Sequence, residues 1–275
     1  MLHVHKMEES TMKKWFCFFL ICLLVVALRG YAIGLRASDE KTAITQKRTK
    51  QIQKIVHDYI INHPEVILEA GKKLQEKEEL KRKEQLKKVQ ANIAKYKKEI
   101  FATDTAGRVV ADNPKRKIII AEFTQYQCPH CKEMMTTITK LLKNNPDVQL
   151  ITIYWPFFGN DAIYAAKAVL AAQKQNKFAV LNNKLLAVND FITKDKVDEI
   201  IKSTGGINTK KLYADMEAKE ISDGLKDNLQ LAKDLGLLGT PTIIFTNSDM
   251  TKFKLIPGQT SDIENDLKQA LDELR

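Results

Sequence analysis

The chain has little of what builds repetitive or stapled proteins. Its 275 residues hold 11 Gly and 7 Pro, which excludes a collagen-like repeat and a Pro/Gly-rich low-complexity chain. It holds 4 Cys, too few for a disulfide-stapled mini-protein or for a site needing two cysteine quartets. The charge-free apolar run at 15–28 has 14 residues, short of the roughly 20 that a membrane span needs. No internal repeat is present. No aromatic-rich basic strand, finger or helix-turn-helix would read nucleic-acid bases. What is there is 44% hydrophobic and 28% charged, a balance that suits a folded protein and is too apolar for a wholly disordered one.

The apolar run follows Met12-Lys13-Lys14 and leads to Gly30 and Ala32. A basic start, an apolar stretch and small residues at the −3 and −1 places describe a secretory signal peptide over 1–32, cut after Ala32. The alternative is an uncleaved membrane anchor facing the periplasm. Cys17 and Cys22 lie inside the run and leave with it. The exported chain then keeps Cys128 and Cys131 alone.

Net charge is +10, and it is unevenly placed. Residues 33–100 carry 17 basic and 10 acidic groups, whereas 101–275 carry 23 and 22. The basic residues are interleaved with Glu along a helical stretch, the pattern of a solvated helix face. We therefore expect no nucleic-acid partner.

Apolar positions at three-and-four spacing (Ile52, Ile55, Val56, Tyr59, Ile60) predict a helix over 45–62. His63-Pro64-Glu65 predicts a break and a restart, with Pro64 suited to a first helical turn. The second helix is expected to reach about Ile100, ending in a coiled-coil-like seam of Leu86, Val89, Ile93, Tyr96 and Ile100. Segment 33–100 is thus expected to be a helical dimerisation segment. Packing on its own body is the alternative.

From Lys117 the texture changes. Strands are expected at 118–123, 148–155, 242–246 and 253–256. Helices are expected at 128–143, 162–175, 177–187, 194–203, 209–235 and, capped by Ser261, up to 274. Two β-rich pieces flank a helical block. That order predicts an α/β fold with a mixed sheet and an inserted helical domain.

Cys128-Pro129-His130-Cys131 follows a strand and opens a helix. The first cysteine then sits where unpaired N–H groups and the helix dipole favour an anion, so its pKa should fall. Pro129 is tolerated there, and a protonated His130 adds positive charge. Cys131, one turn further in, should be shielded. Such a pair can form and break a disulfide with little backbone movement. A zinc site would need two more ligands, and so small a loop makes a poor structural staple. Cu(I) capture by the thiol pair is chemically reasonable.

The run Glu122-Phe123-Thr124-Gln125-Tyr126-Gln127-Cys128-Pro129-His130-Cys131, with Gly239-Thr240-Pro241-Thr242 far downstream, resembles the DsbA-like thiol:disulfide oxidoreductases over about 101–275. His63-Pro64-Glu65-Val66-Ile67-Leu68-Glu69-Ala70 is similar to the N-terminal extension of members that self-associate. The resemblance implies a thioredoxin fold with a helical insertion at about 160–235. It implies no cofactor beyond the Cys128–Cys131 disulfide. It makes Pro241 a cis-proline facing that disulfide, with Thr240 and Pro241 binding substrate. It makes Glu122 a buried proton relay for Cys131. In the family a lysine on the next strand commonly partners this acid. Residues 151–156 here hold none. The expected activity is to form and to isomerise disulfides in unfolded exported proteins. The implied partners are a DsbB-like membrane oxidase, a DsbD-like reductase and a second copy of the chain. The rival reading is a chaperone-like holder, or a copper binder, whose CxxC does not turn over.

Overall fold

The computed structural model describes residues 45–275. The expected signal peptide at 1–32 lies outside the described residues. The chain divides into two units, one ending at Glu78 and one running from Glu79 to Arg275.

The first unit contains helix α1 over 45–62 and the start of α2 (Glu65–Lys95). The break falls at His63 and Pro64. The His63 N–H still completes an α-helical bond to the Tyr59 carbonyl at 2.8 Å, but Pro64 has no N–H with which to continue. Within this unit Ile52, Ile55, Val56, Tyr59, Ile67, Leu68 and Leu74 are all exposed.

In the second unit, α2 is followed by α3 (Lys97–Ile100), β1 (Arg108–Ala111), β2 (Ile118–Thr124), α4 (Pro129–Asn144) and β3 (Val148–Tyr154). The helical insertion comes next: α5 (Asn160–Gln173), α6 (Phe178–Leu186), α7 (Lys194–Lys202), α8 (Thr209–Met216) and α9 (Lys219–Leu235). The chain closes with β4 (Thr242–Asn247), β5 (Phe253–Pro257) and α10 (Ile263–Asp272). The strands form one mixed sheet in the order β1-β3-β2-β4-β5. β2 and β3 run parallel, and the other pairs are antiparallel. Every residue of β2 is buried, as a central strand covered on both faces requires.

Alternation along the strands divides the core. Ile118 and Ile120 of β2, with Ile243 and Phe245 of β4, face Met134 and Ile138 of α4 and Leu267 of α10. Ile119, Ala121 and Phe123 point the other way, toward Val89 and Ile93 of α2, Ile100, and Leu231 and Leu235 of α9. A third cluster lies inside the helical insertion and reaches Tyr126 and Tyr154.

Four sequence expectations change. The coiled-coil-like seam at 86–100 is covered by the chain's own sheet, since Val89, Ile93 and Ile100 are buried there. Strand β1 was not expected. It opens on Arg108, a charged residue that breaks the apolar pattern, yet Arg108 is buried. Its Nη1 donates to the carbonyls of Glu99, Ile100 and Ala102, and its Nε donates to Asn228 Oδ1. The guanidinium thereby satisfies carbonyls that end α3. Residues 209–235 form two helices rather than one, because Ala218 is extended between α8 and α9. The new start lets Gly224 of α9 pack against the Ala106–Gly107 backbone, where a Cβ would lie 2.2 Å from the Ala106 carbonyl oxygen. The last helix is capped by Asp262, whose side chain accepts from the Asn265 N–H, and not by Ser261.

Candidate active site

The site forms at one end of the sheet. Parallel β2 and β3 both finish there, and antiparallel β4 begins there. Cys128 is the N-cap of α4, with extended backbone angles of φ −96° and ψ 113°. Its Sγ accepts the Cys131 N–H at 3.3 Å, the bond that a capping oxygen usually makes. Pro129 fills the first turn, where no N–H partner is needed. Cys131 lies one turn in, and both thiols are free and buried.

This arrangement pulls the two sulfurs apart electrostatically. The Cys128 pKa is lowered to about 6. The Cys131 thiol contributes most, followed by the Cys131 backbone N–H, Thr240 and, last, the charge of His130, while burial opposes them all. The Cys131 pKa is pushed far up, first by burial and then by the neighbouring Cys128 sulfur. His130 is exposed, with Nδ1 3.5 Å from Glu133 Oε2.

Thr240 and Pro241 meet the pair from the loop before β4. The Thr240–Pro241 peptide bond is cis. The Cys128 Sγ donates to the Thr240 carbonyl oxygen at 3.3 Å. Thr242 Oγ1 donates to the Gly239 carbonyl at 2.7 Å and braces the same loop.

Glu122 lies on β2 opposite Thr152 of β3 and Ile243 of β4, on the sheet face that α4 covers. It is fully buried, and neither carboxyl oxygen has a hydrogen-bond partner among the described residues. Its pKa is pushed up to about 8, chiefly by burial. The Cys128 charge adds to this, and Thr124 opposes it from outside hydrogen-bonding geometry. The position of the missing lysine is taken by residues that bring no charge. Thr152 lies beside Glu122, and Tyr154 lies one pleat further along.

Several polar residues at this site went unassigned in the sequence. Tyr126 donates to Asn182 Oδ1 of α6, so the Tyr154 hydroxyl, 2.9 Å away, donates to Tyr126. Gln127 binds Ile192 through both backbone groups: its Nε2 donates to the carbonyl and its Oε1 accepts the N–H. Lys132 Nζ donates to the carbonyls of Val188 and Asp190. Together they bind the helical insertion to the active-site loop. For Tyr126 and Gln127 the one sequence signal is the polar run 124–127 set between an apolar strand and the CxxC.

This geometry has counterparts. Residues 119–265 match the family described as the DSBA-like thioredoxin domain. The chain belongs to that family. Its DSBA-like domain is preceded by residues 49–80, which match the copper resistance protein ScsC N-terminal domain. The thiol:disulfide interchange protein DsbA of Burkholderia cepacia is 25% identical over 155 residues, covering 54% of this chain and 71% of that protein. A thioredoxin-like oxidoreductase from Silicibacter pomeroyi DSS-3 is 29% identical with a TM-score of 0.56, over 64% of this chain and 95% of that one. Proteus mirabilis ScsC in a compact conformation is 26% identical with a TM-score of 0.53, over 82% of this chain and 99% of that one. The DSBA-like domain is thus a member of a thiol:disulfide oxidoreductase family with a helical N-terminal extension.

Proposed function

We propose that the protein is exported to the periplasm, and that Cys128 and Cys131 there form and isomerise disulfides in unfolded proteins. The observation that carries this reading is the pairing of a Cys128 pKa of about 6 with a buried, hard-to-ionise Cys131. In the oxidised enzyme a substrate thiolate attacks Cys128 Sγ. The Cys128–Cys131 bond breaks, its electron pair leaves on Cys131, and a mixed disulfide forms. Cys131 then takes up a proton, and Glu122 is the group we assign to deliver it. A second substrate thiolate attacks the substrate sulfur of the mixed disulfide. Cys128 departs as a stabilised thiolate, the substrate gains a disulfide and the enzyme is left reduced. The reduced pair attacking a wrong disulfide runs isomerisation by the same chemistry.

Unfolded polypeptides suit the surface around the pair. Phe157 and Phe158 follow β3, where the Trp155 N–H is held by the Thr124 carbonyl at 2.9 Å. Phe191 precedes the Ile192 that Gln127 grips, and Leu238 lies two residues before Thr240. All four are exposed. A DsbB-like oxidase would restore the disulfide, and a DsbD-like reductase would keep the isomerase form. The exposed apolar side chains at 52–74 support self-association, and we take the protein to be a homodimer through that segment. Substituting Ile55→Asp with Tyr59→Asp should halve the sedimentation mass, and an unchanged mass would refute this.

Insulin reduction and refolding of scrambled ribonuclease test the activity. Cys128→Ser should abolish both, and undiminished turnover in that variant would overturn the proposal. A holder or Cu(I) binder would instead show neither activity in the unaltered protein.

A further inference from the structure

Gln125 lies three residues before Cys128 and is buried. Its side-chain Nε2 donates to Thr240 Oγ1 at 3.2 Å, across 115 positions of sequence. Its Oε1 is also buried and has no partner among the described residues. An amide that leaves its own acceptor unpaired costs free energy, so the one bond it does make has a strong claim on its orientation. A threonine hydroxyl has one proton and two lone pairs. With a lone pair of Oγ1 occupied by the Gln125 N–H, the hydroxyl proton must point elsewhere. Cys128 Sγ lies 3.3 Å from the carbonyl oxygen of the same residue. That carbonyl is an acceptor, so it suits the thiol and opposes the thiolate. The thiolate already accepts the Cys131 N–H, and the one donor that the Thr240 side chain can add is its hydroxyl.

We propose that Gln125 is a positioning residue, which orients the Thr240 hydroxyl so that its proton is presented to the Cys128 thiolate. The first bond of this chain, from Gln125 Nε2 to Thr240 Oγ1, is the one the structure shows; the second, from Thr240 Oγ1 to the ionised Cys128 Sγ, is the one proposed. Thr240 therefore offers its carbonyl to the protonated sulfur and its hydroxyl to the ionised one. Gln125 keeps the second offer open. The lowering of the Cys128 pKa by Thr240 is consistent with this. The charged groups that also act on Cys128 are His130 and Lys132 on α4 and Glu122 on β2. None of them is bonded to Gln125 among the described residues.

The inference rests on Cys128 being the reactive sulfur, but its test does not depend on turnover. Thiolate absorbance is titrated in the reduced full-length protein and in four variants: Gln125→Met, Thr240→Val, Thr240→Ser and the double variant Gln125→Met/Thr240→Val. Gln125→Met keeps the side-chain length and removes the amide. It should raise the Cys128 pKa by about half a pH unit, the size expected for one modest hydrogen bond. The same change on the Thr240→Val background should add nothing, because the hydroxyl it orients is gone. Thr240→Ser should titrate like the unaltered protein. The idea is overturned if Gln125→Met leaves the pKa unmoved, or if its shift is as large without the Thr240 hydroxyl. Should Gln125→Met fail to fold, the serine and valine variants decide: equal pKa values for those two mean the hydroxyl is idle. Loss of insulin reduction in the unaltered protein would instead remove the functional reading and leave these titrations interpretable.

Discussion

Glu122 is the clearest place to test the electrostatics. Its carboxyl is fully buried, both oxygens lack partners among the described residues, and its pKa is raised from an ordinary 4.5 to about 8. Between those two values the unfolded chain has released the proton and the folded chain keeps it. Stability is then fully present below about pH 4.5 and is lost as pH rises toward 8, with a slope approaching ~1.4 kcal/mol per pH unit. Over the whole interval the loss is about 5 kcal/mol as a ceiling, reduced by whatever water or relaxation reaches the ionised group. Glu122→Gln keeps the shape and removes the titration. The assay is urea unfolding of the reduced protein, followed by circular dichroism from pH 4.5 to 8.5. The variant should gain on the unaltered protein steadily through this range and level off above pH 8. Both proteins share the same cysteines, so cysteine titration largely drops out of the difference. Parallel curves would refute the reasoning, because they would mean that Glu122 ionises as an ordinary carboxylate.

Two further outcomes follow from particular contacts. Gly224→Ala places a Cβ 2.2 Å from the Ala106 carbonyl oxygen. Backbone must move to admit it, so we expect a loss of about 3 kcal/mol, within the range for overpacked sites, read from the urea midpoint; an unchanged midpoint would show that the α9 contact is slack. The ordering of influences on Cys128 predicts that Cys131→Ala raises its pKa most, Thr240→Val less and His130→Ala least. Thiolate titration checks the order, and a dominant His130 effect would reverse it.

Much of the site could be read from order along the chain. An apolar strand running into Cys128-Pro129-His130-Cys131 places a sulfur at a helix start, since a strand followed by Pro at the first helical turn leaves little other geometry. The Thr240-Pro241 pair before an apolar strand was likewise visible. Glu122 was visible as a position, but its state was not. Whether a strand carboxylate is wet or buried depends on what covers the strand, and α4 and α10 do so from 131 and from 263 onward. Arg108 was missed for the converse reason: its charge argues for the surface, whereas the carbonyls that accept it are supplied by Glu99 and Ile100 of α3 and by Ala102 just after it.

Sequence by itself determined the helix-forming stripes, the breaks at Pro64 and before β4, and the chemistry of two cysteines spaced for exchange. These depend on residue type and local spacing, which a linear chain carries in full. Only the tertiary structure decided where each stripe is buried. The seam at 86–100 reads as an interface for another helix, and the face of the chain's own sheet covers it instead. Only the fold brought Gln125 to Thr240, Gln127 to Ile192 and Tyr126 to Asn182, because those bonds join segments from 56 to 115 positions apart. Hydrogen-bond partners that distant are chosen by the packing of the sheet and the insertion, and local pattern holds no trace of the choice.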